Sequence, residues 1–333
     1  MWEKYYDSLH KISSNIYLTK QSPENNSLQR CKIKPINCTD YDFSETQLID
    51  LIGGELVIDN IEYQYIGKNT ESNNLFINSN YKIIKFKNSY FYYNESIKYS
   101  YDKEKKEFNI FQSKPGARAF FYKGVLEDIK INFNGYNEQL QFEVPNYPID
   151  QRGLTGCLSL VNLIVKNITI KSNKSSCEDT VNLINVKGSL NEINIVDSFG
   201  DGLDIDSSKV DINYINISSS KNDCVDLSAG IYQLNKLNLV NCGDKGLSVG
   251  EKSFLRLNGI FIDNSKIGIA SKDSSITKIN DARLTNLTTC VSAYNKKQEF
   301  FGGFLEIKNI ECKNYLHKTD VDIKSKIIIE NEL

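Results

Sequence analysis

Cys177-Glu-Asp-Thr-Val-Asn-Leu-Ile184 decides the fold once the chain is read onward from it in steps of 22. Gly200-Asp-Gly-Leu-Asp-Ile-Asp206 falls beneath it, then Asn222-Asp-Cys-Val-Asp-Leu-Ser228, then Asp244-Lys-Gly-Leu-Ser-Val-Gly250. Ile267-Gly-Ile-Ala-Ser-Lys-Asp273 and Thr289-Cys-Val-Ser-Ala-Tyr-Asn295 hold the same frame. A fixed period of this length is the mark of a solenoid, in which each repeat buries its apolar face only against its neighbours.

Within each repeat the apolar residues alternate, as in Val181/Leu183, Leu203/Ile205, Val225/Leu227 and Leu247/Val249. Period two is the signature of a strand with one buried face. A second strand follows in each, for example Val210-Asp-Ile-Asn-Tyr-Ile-Asn-Ile217 and Phe254-Leu-Arg-Leu-Asn-Gly-Ile-Phe-Ile262. The fixed Leu/Asn consensus of leucine-rich repeats is absent, so the pattern predicts an all-β, right-handed parallel β-helix over residues 111–316.

The flanks fit less well. Residues 1–110 are expected to form an N-terminal cap or accessory region, because an open solenoid end exposes unpaired strand and core. Trp2, Tyr5, Tyr6, Leu9 and Ile12 sit at helical spacing, and Ser44-Glu-Thr-Gln-Leu-Ile-Asp-Leu-Ile52 has a capped helical start. The run Tyr90-Phe-Tyr-Tyr93 reads either as part of that cap or as a sugar-stacking or subunit surface. Residues 317–333 read as a C-terminal tail or cap.

The bulk numbers bound function only loosely. A net charge of -2 over 333 residues carries no global bias towards nucleic acid or anionic membrane. No stretch approaches the ~18 apolar residues of a membrane span, and no export signal is evident at the N-terminus. A cytoplasmic location follows from that reading, with an extracellular one open if the sequence has lost a leader. The eight Cys match no disulfide framework or zinc spacing and are expected to be buried free thiols.

Chemistry is expected where the register stacks charge. Equivalent residues of neighbouring coils lie about 4.8 Å apart, so the 22-residue step lists spatial neighbours. One column runs Asp179, Asp201, Asp223, Lys245; a second Asn182, Asp204, Asp226, Ser248; a third Ile184, Asp206, Ser228, Gly250, Lys272, Tyr294. Like charges at that spacing repel unless a proton, a cation or a lysine neutralises them. The plainer alternative is that Asp, Asn and Gly populate the turns that bend each coil. Glu251, Asp273 and Lys296 lie just past the same strands, whereas His10 and His317 lie outside the band.

Asp201-Gly-Leu-Asp204, Asn222-Asp-Cys-Val225 and Asp244-Lys-Gly-Leu-Ser-Val-Gly250 resemble the successive acid blocks and Gly-His-Gly block of the pectate lyase and polygalacturonase superfamily. Lys245 replaces that family's His, Asn222 one acid of its Asp pair, and Ala270-Ser-Lys272 its Arg-Ile-Lys block. Only Asp201, Asp223 and Lys272 carry over. Residues 115–316 also resemble bacterial right-handed β-helix proteins without an assigned reaction, through Leu154-Thr-Gly-Cys157, Cys242-Gly-Asp-Lys-Gly-Leu-Ser-Val-Gly-Glu-Lys-Ser253 and related blocks.

These readings make a carbohydrate-active protein the leading expectation, acting on an acidic polysaccharide. In a lyase version Asp201, Asp204, Asp223 and Asp226 hold Ca²⁺, and Lys245 or Lys272, its pKa lowered by neighbouring cations, takes the sugar proton. In a glycoside hydrolase version two Asp act as acid and base. Asp204, Asp206, Asp226, Glu251, Asp273, Tyr294 and Lys296 are the expected substrate contacts. The alternative is a non-catalytic binding or structural solenoid, and the sequence leaves the oligomeric state open.

Overall fold

The computed structural model describes residues 81–136, 150 and 153–333, together with the course of four strands within 16–67. Those four strands, β1 (Ile16–Ser22), β2 (Asn25–Lys32), β3 (Glu55–Ile58) and β4 (Ile61–Gly67), form an antiparallel sheet in the order β2-β1-β4-β3. They belong to a unit formed by residues 1–78 and 149–154. The helical spacings at Trp2–Ile12 and Ser44–Ile52 lie outside the described residues.

The second unit is a parallel β-solenoid of about 22 residues per turn, as the repeat predicts. The unit comprises residues 79–148 and 155–333. Two hairpins come first, β5 (Lys82–Phe86) with β6 (Asn88–Tyr93) and β7 (Ile97–Asp102) with β8 (Glu107–Gln112). β6 pairs antiparallel with β9 (Ala119–Asn134), the first full rung, and so covers its edge. Phe91 is fully buried and packs against Phe108 and Phe121, while Tyr92 stacks on Phe120 with ring centres 4.5 Å apart. The aromatic run therefore serves the cap, with Tyr90 exposed and Tyr92 and Tyr93 half-buried.

From β10 (Gly156–Asn173) the rungs stack in parallel, through β11 (Asp179–Ile184) with β12 (Lys187–Ser198), and β13 (Asp201–Asp206) with β14 (Lys209–Ser220). β15 (Val225–Ser228), β16 (Ile231–Gly250), β17 (Phe254–Lys272), β18 (Ile276–Tyr294) and β19 (Phe304–Val321) continue the stack. β20 (Lys326–Glu332) adds a further partial rung on β19, so residues 317–333 extend the solenoid. No helix of the described residues is long and apolar enough to cross a membrane.

The coils close on a common core: Leu203 and Ile205 on β13, and Val210, Ile212, Ile215 and Ile217 on β14, whose alternation shifts at Asn213–Tyr214, are all buried, with their equivalents in the next coils. Corners of the coils need backbone in the left-handed region. One corner stacks Asn185, Ser207, Ala229, Glu251 and Asp273, and another stacks Asp197, Ser219, Asn241, Asn264, Asn286 and Asn314, all at φ between 48° and 65°. Asn tolerates that region better than most residues and can bond along the stack. Asn264 Nδ2 donates to Asn241 Oδ1 at 2.9 Å, and Asn314 Nδ2 to Asn286 Oδ1 at 3.1 Å.

The expectation of free thiols is corrected for six of the eight Cys: Cys157–Cys177, Cys224–Cys242 and Cys290–Cys312 are disulfides, while Cys31 and Cys38 lie outside the residues whose side chains are described. Spacings of 18 to 22 residues bear no resemblance to a compact knot because each bridge closes nearly one coil. Coil geometry, invisible to cysteine spacing alone, brings the partners together.

Candidate functional site

The register places the charged columns as the 22-residue step predicts. Asp179 stands opposite Asp201, Asn182 opposite Asp204, Asp204 opposite Asp226, Asp226 opposite Ser248, and Ile184 opposite Asp206. Lys245 continues the first column onto Ile267, and Lys272 pairs with Tyr294 in the third.

The first column is both structural and ionic. Asp201 Oδ1 accepts the backbone N–H of Asp223 at 2.8 Å and Asn222 Nδ2 at 2.7 Å. One coil on, Asp223 Oδ1 accepts the backbone N–H of Lys245 at 2.9 Å, and Lys245 Nζ lies 3.3 Å from the same oxygen. Lys245 Nζ also contacts the Asp244 carboxylate, whose other oxygen lies 3.8 Å from Lys266 Nζ. The turn reading thus holds for Asp201 and Asp223, which tie successive corners together, without exhausting what these carboxylates do.

The second column is a buried row of unmatched oxygens. Ser159 Oγ, Asn182 Oδ1, both carboxylate oxygens of Asp204, Asp226 Oδ1 and Ser248 Oγ are buried with no hydrogen-bond partner. Lys272 Nζ, 3.8 Å from Asp226 Oδ1, is its nearest described counter-charge. Asn182 turns its amide the other way and donates to Asp206 Oδ2 at 3.3 Å. Unmatched buried acceptors are costly, more so when charged, so this row favours protons over carboxylates.

The electrostatics follow. Burial, with repulsion from Asp206, Asp179 and Asp226, holds the Asp204 carboxyl well above its usual range. Burial and the neighbouring Asp179 and Asp223 do the same to Asp201. Burial lifts Asp179 and Asp206 to about 7. Asp223 rises to about 6, through burial and Asp226, with Lys245 and Lys272 restraining it. Asp244 is the exception: against the effect of burial, Lys245 and Lys266 draw it below the usual range.

The lysine expectation is corrected. Burial alone would lower both ammonium groups, but Asp223 and Asp244 outweigh it at Lys245, and Asp226 and Asp223 at Lys272, so both pKa values are raised. Counter-charges surround each lysine where neighbouring cations were expected. Burial also raises the Tyr294 phenol, opposed by Lys272 and Lys245.

Among the described residues no three acidic, His or Cys side chains converge as a metal cage. Asp201 and Asp223 direct oxygens to backbone amides, while Asp204 and Asp226 occupy the parallel column. Glu251 and Asp273 stand at the adjoining corner and bind the 295–303 loop instead: Glu251 contacts Lys297, and Asp273 Oδ1 accepts the amides of Lys296 and Lys297 at 2.7 and 2.8 Å. The Lys296 side chain is exposed, within electrostatic reach of Asp244. Sequence reasoning passed over Asp244 and Lys266 as site residues, although they are themselves 22 apart. His317 lies beyond Thr289 at the far end of the first column.

No family model, no curated protein and no solved structure matches the chain. What the structure shows of the expected family resemblance is its architecture, a parallel β-solenoid of about ten turns.

Proposed function

We propose that the cluster from Asp201 to Tyr294 grips an acidic polysaccharide and cleaves its glycosidic bond by acid–base chemistry. The observation that carries this reading is the different surroundings of two buried carboxyls on successive coils: Asp201 Oδ1 accepts the Asp223 backbone N–H, whereas Asp223 Oδ1 has the Lys245 ammonium 3.3 Å away. A carboxyl flanked by other carboxyls and one beside a cation are disposed as acid and base. Asp201 gives its proton to the leaving glycosidic oxygen, and Asp223 takes one from the attacking water. Lys245, Lys272 and the exposed Lys266 and Lys296 offset uronate carboxylates along the chain.

Hydrolysis moves ahead of the lyase version because both lysines are held as ammonium ions. A carbon-bound proton needs a free amine to receive it, and Lys245 sits between Asp223 and Asp244. The three disulfides favour maturation in an oxidising compartment over the cytoplasm.

A second reading, a non-catalytic polysaccharide-binding solenoid, draws on the amide-capping roles of Asp201 and Asp223. Incubation with a panel of polyuronates and capsular polysaccharides, with and without chelator, separates the two. New reducing ends without ultraviolet-absorbing unsaturated products are expected. Unsaturated products would restore the lyase version, and polymer retention without chain shortening would establish the binding reading.

A further inference from the structure

The two ends of the solenoid are finished differently. At the start, β6 lies antiparallel on β9 and covers its edge. At the other end β20 pairs only with β19, along 304–310, and is the last strand of its sheet. A strand whose outer edge is open is a template for another strand.

The core is open at the same place. Val291 and Ala293 are fully buried, yet the residues that continue their columns one coil on, Thr319 and Val321, are exposed, Val321 by 48%. Leu305 and Ile307 are likewise fully buried, while Ile327 and Ile329, stacked on them, are half-buried. Thr319, Val321, Ile327 and Ile329 line a hollow of about 440 Å³ together with Ser325 and Lys326. Core columns that surface in this way need cover, as the ends of solenoids do.

The strand at that end is complementary to itself. Lys326 N–H donates to Gly303 O at 3.0 Å, so its peptide group faces the preceding coil. Alternation along the strand turns the N–H and C=O of Ile327 and Ile329 the other way, toward the open edge. The side chains of both residues point to the core, against which they pack. An antiparallel partner therefore has to set Ile327 or Ile329 against an equivalent residue of its own, and Lys326-Ile-Ile-Ile-Glu330 does so about a twofold axis at Ile328. Ile327 of one copy then faces Ile329 of the other and exchanges both backbone hydrogen bonds with it. Lys326 meets Glu330 at each end of the paired segment, and both are exposed. Sliding the register by two residues would set Ile328 against Glu330 or Lys326, and Glu332 is already engaged by Lys318. Opposite charges facing each other across strands stabilise a pair, whereas like charges there destabilise it.

We propose that two copies of this chain join end to end through β20, each closing the open core of the other. A contact that uses the same patch on both copies is self-limiting, so the assembly stops at two. The antiparallel strand that β6 supplies at the start of the solenoid is supplied at its end by the second copy.

Sedimentation velocity of the purified full chain, from micromolar to hundreds of micromolar, tests this. Wild-type protein is expected to pass from the mass of one chain to twice that mass as concentration rises. Glu330→Lys sets lysine against lysine at both ends of the contact, and Lys326→Glu sets glutamate against glutamate, so each variant alone should weaken the dimer about tenfold. Mixed together, the two variants regain opposite charges at both ends, and the mixture should dimerise as wild type does. That rescue also shows that both variants are folded. A wild-type chain that stays single throughout the range overturns the proposal and leaves the open end to another occupant. A dimer indifferent to both charge changes, a mixture that is not rescued, or assembly beyond two chains overturns it as well.

Discussion

Lys245 closes on Asp223 twice, through its own backbone N–H at 2.9 Å and through its ammonium at 3.3 Å from the same carboxylate oxygen. One residue thereby both continues the solenoid and neutralises the charge stacked beneath it. The two contacts are separable by mutation because only one requires the side chain.

Removing the ammonium leaves a buried carboxylate without its counter-charge. Lys245→Met should cost about 3–5 kcal/mol of unfolding free energy, the usual penalty for breaking a buried pair from one side. Asp223→Asn should cost distinctly less, since Asn keeps an oxygen for the Lys245 amide and leaves Lys245 paired with Asp244. Urea denaturation of both variants at pH 7 checks the order; equal losses would place the pair outside the balance of stability.

Acid should stabilise this fold. Asp179 and Asp206 rise to about 7 and Asp223 to about 6, above the ordinary value of 3.8 that describes them unfolded. A carboxyl raised by folding binds its proton more tightly in the native state, so its contribution is complete below the unfolded value and is lost as pH climbs through the folded one. The melting temperature should therefore fall between pH 4 and pH 7. Thermal scans across that window give the slope, and a rising melting temperature would refute the sign.

Asp204→Asn should stabilise the protein at neutral pH, by on the order of 1 kcal/mol. Both Asp204 oxygens lack a partner, and its neighbour in the column is already Asn182. Denaturant midpoints at pH 7.5 and pH 4.5 check this: the gain should appear at the higher pH and shrink at the lower.

The bridges hold coils closed. Replacing Cys224 and Cys242 by Ala should remove about 3 kcal/mol, the loss expected when a loop of this length is released in the unfolded chain. Denaturant curves of the double variant against wild type report it, and in non-reducing conditions all six of these cysteines should resist alkylation.

Much of this architecture was readable from spacing. The alternation at Val181/Leu183 and its copies, and the 22-residue step, carried the rung register directly into space, down to Asp204 over Asp226. What spacing missed depends on the third dimension. Cys224 and Cys242 meet because a coil returns to its start, and no local pattern records that. Lys245 looked like a base when judged by nearby lysines, yet its closest groups are Asp223 and the adjacent Asp244. Glu251 and Asp273 lay in the right band but at a corner, where their side chains turn to the 295–303 loop. The hairpins β5–β6 and β7–β8 are antiparallel and lie ahead of the repeat, so the 22-residue step does not describe them, although β8 joins β9 in parallel.

The central claim is that aspartates stacked along the first strands carry protons near neutral pH, and carbon-detected NMR titration of their side-chain carboxyls tests it most directly. The account predicts a group of aspartates, Asp179, Asp206 and Asp223 among them, titrating with apparent midpoints near 6 to 7 while Asp244 titrates below the ordinary range. Midpoints at or below 4 throughout the column would contradict it.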